Sequence, residues 1–190
     1  MIKKVSSIGS ILALFSVSAF AANDYALDAD LSSVSFATIK KQFIVEPASI
    51  SHLSGALDEN GHFDIVIDVS SVDTGVQIRD SRLNDVLFKS AIHPKVKVKG
   101  RVDLANLKDG PYNMALPVDV TFWGHTKVIE FPVVILKSND YLMVSSSSPV
   151  IIGTSDIGIP DNNLIELAEK AGGISISDRV PVTISLMFKK

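Results

Sequence analysis

Apolar and polar residues alternate along most of this chain, and the alternation limits the possible folds more than any other feature. Every second residue of the segment 114–122 is apolar, and the same holds for 129–135. In 95–99, lysines and valines alternate without exception. Successive side chains of a β-strand point to opposite faces, so each segment predicts a strand with one dry face.

About eight such strands are predicted, together with two short helices. The first helix lies between an Asp-Thr-Gly turn at 73–75 and His93-Pro94, and the second begins at Asp161 and ends at Gly172-Gly173. We also expect one strand over 50–57, with Pro47 interrupting the pairing before it.

Strands that each bury one face need a common interior. A sandwich of two sheets and a closed barrel both supply one. An eight-stranded barrel can be filled by its own side chains or can hold one elongated ligand. The periodicity of the sequence leaves these alternatives open.

The first 21 residues have the pattern of a secretory signal peptide. A basic start, Met1-Ile2-Lys3-Lys4, precedes an apolar run over 8–17 and the small-x-small triplet Ala19-Phe20-Ala21. The apolar run is shorter than the roughly 20 residues that a membrane-spanning helix needs. We therefore predict cleavage of residues 1–21, a single domain over 22–190 and export to the periplasm. An uncleaved anchor is the alternative.

Composition argues against several classes of function. Removing Lys3 and Lys4 with the signal changes the formal charge from −3 to −5, and no basic stripe remains that would predict a nucleic-acid partner. The chain has no cysteine, which excludes disulfides, thiolate metal sites and cysteine nucleophiles. No second apolar segment is long enough to cross a bilayer, so we expect no stable membrane insertion.

No catalytic or metal-binding residue is predicted. The four histidines lie in four separate segments without the spacing of metal ligands. The serine run 145–148 has no Gly-x-Ser-x-Gly elbow around it. Asp156 fits a turn in which it accepts backbone hydrogen bonds better than it fits a catalytic role. The residue types therefore favour a protein that is not an enzyme and requires no cofactor.

Several ordered motifs resemble those of the YceI-like family of small exported lipocalin-like proteins. The central one comprises Asp73-Thr74-Gly75, Arg79-Asp80, Leu83, Phe88 and His93-Pro94. Four others match the family in the same order along the chain. They are Tyr25 to Asp28 with Ser33-Val34-Ser35-Phe36, Leu53-Ser54-Gly55 with Asp58, Trp123-Gly124-His125-Thr126-Lys127, and the stretch 153–159.

The resemblance implies an all-β fold, an eight-stranded antiparallel lipocalin-like barrel with two short helices. It also implies that the bore holds an isoprenoid quinone, a polyprenyl lipid or a fatty-chain lipid. The sequence departs from the family pattern at Leu31-Ser32 and Lys40, where histidines are common. It departs again at Trp123, where arginine is usual, and at Thr154, where arginine or asparagine is common. These departures predict an altered polar lining near the pocket mouth.

Eight residues are candidates for ligand contact. Arg79-Asp80 either meets a head group or pins the first helix to the barrel rim. The helix residues either line the bore or pack beneath the helix, and the strand residues lie on inward-facing rows. The full set is Phe36, Arg79, Asp80, Leu83, Leu87, Phe88, Phe122 and Phe188.

The leading hypothesis is thus a periplasmic protein that binds a hydrophobic ligand as a carrier or reservoir. One alternative is a structural or interaction barrel whose bore is filled by Phe36, Phe122 and Phe188. Another is an enzyme acting on such a lipid, with rim residues as acid and base. A homodimer formed through exposed edges or rim helices is a further hypothesis.

Overall fold

The computed structural model describes residues 25–190, and the predicted signal peptide over 1–21 lies outside the described residues. Within 25–190, twelve strands form one antiparallel sheet. They are β1 (Tyr25–Leu27), β2 (Ser33–Lys40), β3 (Ile44–Ile50), β4 (Leu53–Leu57), β5 (His62–Asp68), β6 (Val72–Asp73), β7 (Lys95–Arg101), β8 (Gly110–Phe122), β9 (His125–Lys137), β10 (Tyr141–Ser146), β11 (Val150–Gly153) and β12 (Arg179–Lys189).

These strands make a closed barrel of eight antiparallel strands, which confirms the predicted fold class. A 3-10 turn at Ala29–Leu31 divides the first barrel strand into β1 and β2, and similar breaks divide β3 from β4 and β10 from β11. Each barrel strand pairs with the next along the chain. The last strand, β12, pairs with β10 on one side and with β1 and β2 on the other, which closes the sheet.

Two helices lie at one end of the barrel, as the sequence predicts. The first, α1 (Gln77–Arg82), continues into a π-helical turn (Leu83–Phe88) that ends at Lys89 in a left-handed conformation. The second, α2 (Asp161–Lys170), packs on that π-helical turn. Because the turn lies between the barrel and α2, its residues Val86, Leu87 and Phe88 are all buried.

The predicted inward rows form the core. In β8 and β9 the apolar positions 116–122 and 129–135 are buried in alternation with more exposed neighbours, and Val133 and Ile135 are completely inaccessible. The two-residue turn between these strands, Trp123-Gly124, has positive φ angles at both positions, as a type I′ hairpin turn requires. No helix in residues 25–190 is long and apolar enough to cross a membrane.

Two local predictions about the second barrel strand are wrong. The strand begins at Ile44 rather than at Ile50, and Pro47 lies inside β3, paired with Ala37. Only the last two residues of β3 have a second neighbour, β6, among the described residues. Pro47 therefore occupies an edge position, where its missing N–H breaks no hydrogen bond of the ladder.

The barrel end opposite the helices is closed by large side chains. Phe63 of β5 pairs with Gly100 of β7, and the Phe63 ring lies directly over the glycine. A Cβ atom on Gly100 would lie 2.4 Å from Phe63 Cζ, a distance that real side chains do not tolerate. Gly100 is therefore needed to admit this ring into the core.

Gly100→Val should lower the free energy of unfolding by about 1–3 kcal/mol, because the added methyl groups displace Phe63 from a packed site. Urea denaturation followed by circular dichroism measures the change. Lys97→Val, on the exposed face of the same strand, is the control and should shift stability by less than about 0.5 kcal/mol. Equal stability of the two variants would show that Phe63 is not packed as described.

Candidate ligand-binding cavity

The barrel encloses a cavity of about 220 Å³. Its walls are the inward-facing side chains of the barrel strands, together with residues of both helices, and almost all of them are apolar. The polar side chains that line it are Thr38, Thr154, Ser177 and Asp178. These four belong to segments that are hydrogen-bonded to one another at the helical end, and they add almost no polar surface to a cavity that is apolar along its whole length.

Part of the inward-facing wall is only half-buried. Val96 and Val98 of β7 and Val182 and Ile184 of β12 point into the bore, yet all four remain partly accessible. The inward-facing residues of β8, such as Val118 and Val120, are buried instead. Side chains of a filled core would be covered on all sides, so this difference indicates that the bore between β7 and β12 is not filled by the protein's own side chains.

The π-helical turn covers the helical end of the cavity. Leu87 and Phe88 line it from above, and the Phe88 ring meets Phe122 edge to face, with 6.3 Å between ring centroids. The side-chain amide Nδ2 of Asn163 donates a hydrogen bond of 2.9 Å to the Leu87 carbonyl oxygen. Asn163 is 4% exposed, so this bond joins α2 to the π-helical turn in a dry environment.

Arg79 and Asp80 bind parts of the barrel rim rather than each other. Arg79 Nη2 lies 2.8 Å from Glu46 Oε1 of β3, and Lys40 forms an ion pair with the same carboxylate. Asp80 Oδ1 accepts hydrogen bonds from the Thr74 amide, at 2.9 Å, and from its hydroxyl, at 2.5 Å. Both side chains thus hold α1 to its neighbours, and neither lines the cavity.

The eight candidate residues therefore divide into two groups. Five of them line the cavity together: Phe36, Leu87, Phe88, Phe122 and Phe188. Arg79 and Leu83 instead line a second, smaller cavity of about 30 Å³ at the rim, and Asp80 accepts hydrogen bonds from Thr74 in the turn before α1. We call this second space the rim cavity.

Sequence reasoning missed several lining residues. Thr38 continues the inward row of Phe36 at a spacing of two, so the alternation could have identified it. The segment 176–178 carries no such pattern. It reaches the cavity because the Ser177 amide donates to the Ile39 carbonyl at 2.8 Å, a contact between opposite ends of the sequence.

The hairpin turn at Trp123 packs beside the cavity without lining it. The Trp123 ring stacks on His93, with 3.8 Å between centroids and 28° between planes. Of the positions that depart from the family pattern, Thr154 lines the cavity, whereas Lys40 lines the rim cavity. Within residues 25–190, no three His, Asp or Glu side chains are grouped so that they could hold a metal ion.

Asp156 stabilises the turn that carries Gly153 and Thr154 to the cavity wall. One carboxylate oxygen pairs with Lys127, and the other accepts a hydrogen bond of 2.9 Å from the Gly153 amide. The Lys127 ammonium, with the Gly153 amide as the next contribution, lowers the pKa of the Asp156 carboxyl below its ordinary value. Asp156 thus satisfies a backbone donor, as its place in a turn predicts.

Comparison with known proteins agrees with this geometry. A family model described as a YceI-like domain matches residues 25–188. A polyisoprenoid binding domain from Saccharophagus degradans is 30% identical and superposes with a TM-score of 0.80, over 87% of this chain and 97% of that one. No curated protein sequence gives a significant match.

Two more distant structures share the fold. BcnA from Burkholderia cenocepacia is 18% identical, with a TM-score of 0.60 over 85% of this chain and 98% of its own. The YceI protein from Campylobacter jejuni is 15% identical, with a TM-score of 0.53 over 97% and 93%. At these identities the similarity concerns the barrel alone.

Asn163→Ala should destabilise the protein by about 1–3 kcal/mol, because it leaves the buried Leu87 carbonyl without a donor. Amide hydrogen exchange over residues 83–88 should also become faster in this variant. Asn162→Ala provides a matched control, since the neighbouring asparagine is exposed on the same helix. If both variants exchange at the wild-type rate, the amide does not hold the π-helical turn.

Folding stability should fall in acid, partly through Asp156. Its pKa is lower in the folded chain than in the unfolded one, where it is about 3.9. The stabilisation is therefore complete above that unfolded value and is lost as the pH falls through the folded pKa. Urea midpoints measured between neutral pH and about pH 3 should drop less for Asp156→Asn than for the wild type. Asp119→Asn, at an exposed site on β8, should leave the drop unchanged.

Proposed function

The chain belongs to the YceI-like family, and from this membership and the cavity we propose that it binds a lipid with an isoprenoid or fatty tail in the barrel bore. The observation that carries the proposal is an apolar bore that the protein's own side chains leave unfilled. An almost wholly apolar pocket with four polar residues near one end suits a ligand with a long tail and a small head.

Burial of the tail supplies the binding energy. Each methylene moved from water into the bore contributes about 0.8 kcal/mol. The half-buried valines of β7 and β12 lose their remaining contact with water at the same time. Tail contacts are assigned to the aromatic and aliphatic residues Phe36, Leu87, Phe88, Phe122 and Phe188.

An isoprenoid tail is the first candidate, because the 30% identical relative is described as a polyisoprenoid binding domain. Isoprenoid quinones and polyprenyl lipids both carry such tails, and a fatty chain offers the same chemistry without branches. A polar head group would lie at the helical end, where the polar residues Thr38, Thr154, Ser177 and Asp178 are found.

We propose that the protein acts as a carrier or reservoir in the periplasm, which the predicted signal peptide supports. Binding without turnover is the simplest role for this site. No histidine is found among the described residues that line the cavity, and the polar groups there are mainly hydroxyls. Such a site can shield a lipid from water, and the carboxylate of Asp178 is its one candidate general base.

Native mass spectrometry of the protein purified from its own periplasm, followed by solvent extraction, tests the proposal directly. A single bound isoprenoid or fatty species would support it and would name the tail. Protein that is empty and also refuses added quinones and fatty lipids would refute it. In that case a structural or interaction role would be the better account of the barrel.

Val98→Trp should block the bore, because the indole would project from β7 into the unfilled space opposite β12. Binding of a fluorescent isoprenoid should weaken by about tenfold or more, which corresponds to about 1.4 kcal/mol. Lys97→Trp, the outward-facing neighbour, is the control and should bind normally. Wild-type affinity in a folded Val98→Trp protein would place the ligand outside the bore.

A further inference from the structure

An exposed apolar tip projects from the hairpin between β2 and β3. Phe43 is 84% exposed, and Val45 and Ile44 are 61% and 46% exposed. We call these three residues the apolar tip. Single exposed apolar residues are ordinary on protein surfaces, but three in succession at the end of a hairpin form a continuous patch.

The backbone holds this tip in a defined position. Lys41 and Gln42, which precede it, both have positive φ angles, 48° and 66°. Non-glycine residues rarely adopt this left-handed conformation, and two in succession are maintained only where the surroundings impose it. The Lys41 amide donates a hydrogen bond of 2.9 Å to the Ser175 carbonyl, which ties the turn to the segment before β12.

The apolar tip lies beside the helical end of the cavity. Lys40, the last residue of β2, bridges to Ile176, and Ile176 lines both the cavity and the rim cavity. Thr38, two residues earlier, also lines both. The hairpin therefore extends beyond the barrel at the end where a lipid head group would lie.

Cationic side chains lie on the hairpin and along the rim cavity beside it. The charged side chains of the hairpin end and of the rim cavity are four cations and one carboxylate: Lys40, Lys41, Arg79, Arg82 and Glu46. Glu46 pairs with both Lys40 and Arg79, and Lys41 and Arg82 have no ion pair with any residue in 25–190. With Asp178, the exposed carboxylate of the segment hydrogen-bonded to the hairpin, the balance is four cations to two carboxylates, in a chain whose formal charge is −3.

More apolar surface adjoins these cations. Val76 and Ile78, at the start of α1, are 40% and 59% exposed, and Ile78 precedes the Arg79 that contacts Glu46. Exposed apolar groups next to lysine and arginine are the combination by which proteins bind the interfacial region of anionic membranes.

We propose that this end of the barrel docks on an anionic lipid bilayer, with the apolar tip inserted among the lipids and the cations on their head groups. The inference rests on the proposed lipid-binding function and adds the route by which the ligand enters and leaves. Exposing the lipid tail to water costs free energy in proportion to the apolar area of the tail. A tail that passes directly between the bilayer and the bore at such a contact avoids this cost. Docking therefore makes exchange faster without changing affinity.

Flotation of delipidated mature protein with vesicles tests the docking itself. Wild-type protein should float with vesicles of phosphatidylcholine and phosphatidylglycerol and should float less with phosphatidylcholine alone or in high salt. Phe43→Ser should reduce the bound fraction by about fivefold or more. The matched control is Leu136→Ser, at an exposed apolar site on β9 near the opposite end of the barrel, and should bind as the wild type does.

Transfer kinetics test the route. The rate at which a fluorescent isoprenoid passes from the protein to acceptor vesicles should rise with vesicle concentration for the wild type and for Leu136→Ser. For Phe43→Ser it should become slower and independent of vesicle concentration, while the affinity for the isoprenoid in solution stays unchanged.

Three results would overturn the docking proposal. The first is flotation of Phe43→Ser to the same extent as the wild type, and the second is lipid transfer by this variant at the wild-type rate. The third is a wild-type dimer, detected by light scattering, that Phe43→Ser converts to a monomer, which would show that a second copy covers the tip. A failure of the proposed lipid-binding function would look different. In that case neither the wild type nor either variant would take up the isoprenoid, whatever the flotation result.

Discussion

Closure of the β-sheet is the constraint on which the rest of the structure depends. The last strand, β12, pairs with β10 on one side and with the first barrel strand on the other, so no long sheet edge is left along this seam. Closure directs every inward row toward one axis, where the rows of β8 and β9 meet those of β2 and β12. The alternation of each strand then becomes a shared apolar interior.

The interior is packed unevenly, and the unevenness creates the cavity. Aromatic side chains close one end. One of them is Phe63, whose ring lies over Gly100. Toward the helices the inward positions of β7 and β12 are mostly valine and isoleucine, which leave space between the walls. Unfilled apolar space lowers stability, and a bound tail would restore the missing contacts. The fold is therefore less tightly packed at the place where the proposed ligand would supply the missing contacts.

A few contacts between distant parts of the sequence hold the helical end of the barrel together. Asn163 fixes the π-helical turn over the bore, and Arg79 and Lys40 join α1 and β2 to the single carboxylate of Glu46. The most conspicuous charged pair of the sequence, Arg79-Asp80, is thereby used to position the helix. The polar residues that line the bore are instead Thr38, Thr154, Ser177 and Asp178, of which only Thr154 was singled out from the sequence.

The sequence by itself determined most of the strands, the two helices and the inward rows, because these follow from periodicities of two and 3.6 residues between near neighbours. Thus Phe36, Phe122 and Phe188 were identifiable as inward-facing, and the family resemblance added the barrel. Only the tertiary structure decided which residues meet across the chain, such as Ser177 with Ile39 or Arg79 with Glu46. It also decided that the bore remains unfilled. Register and closure depend on pairing between distant segments and on the summed volume of many side chains, and no local pattern encodes either.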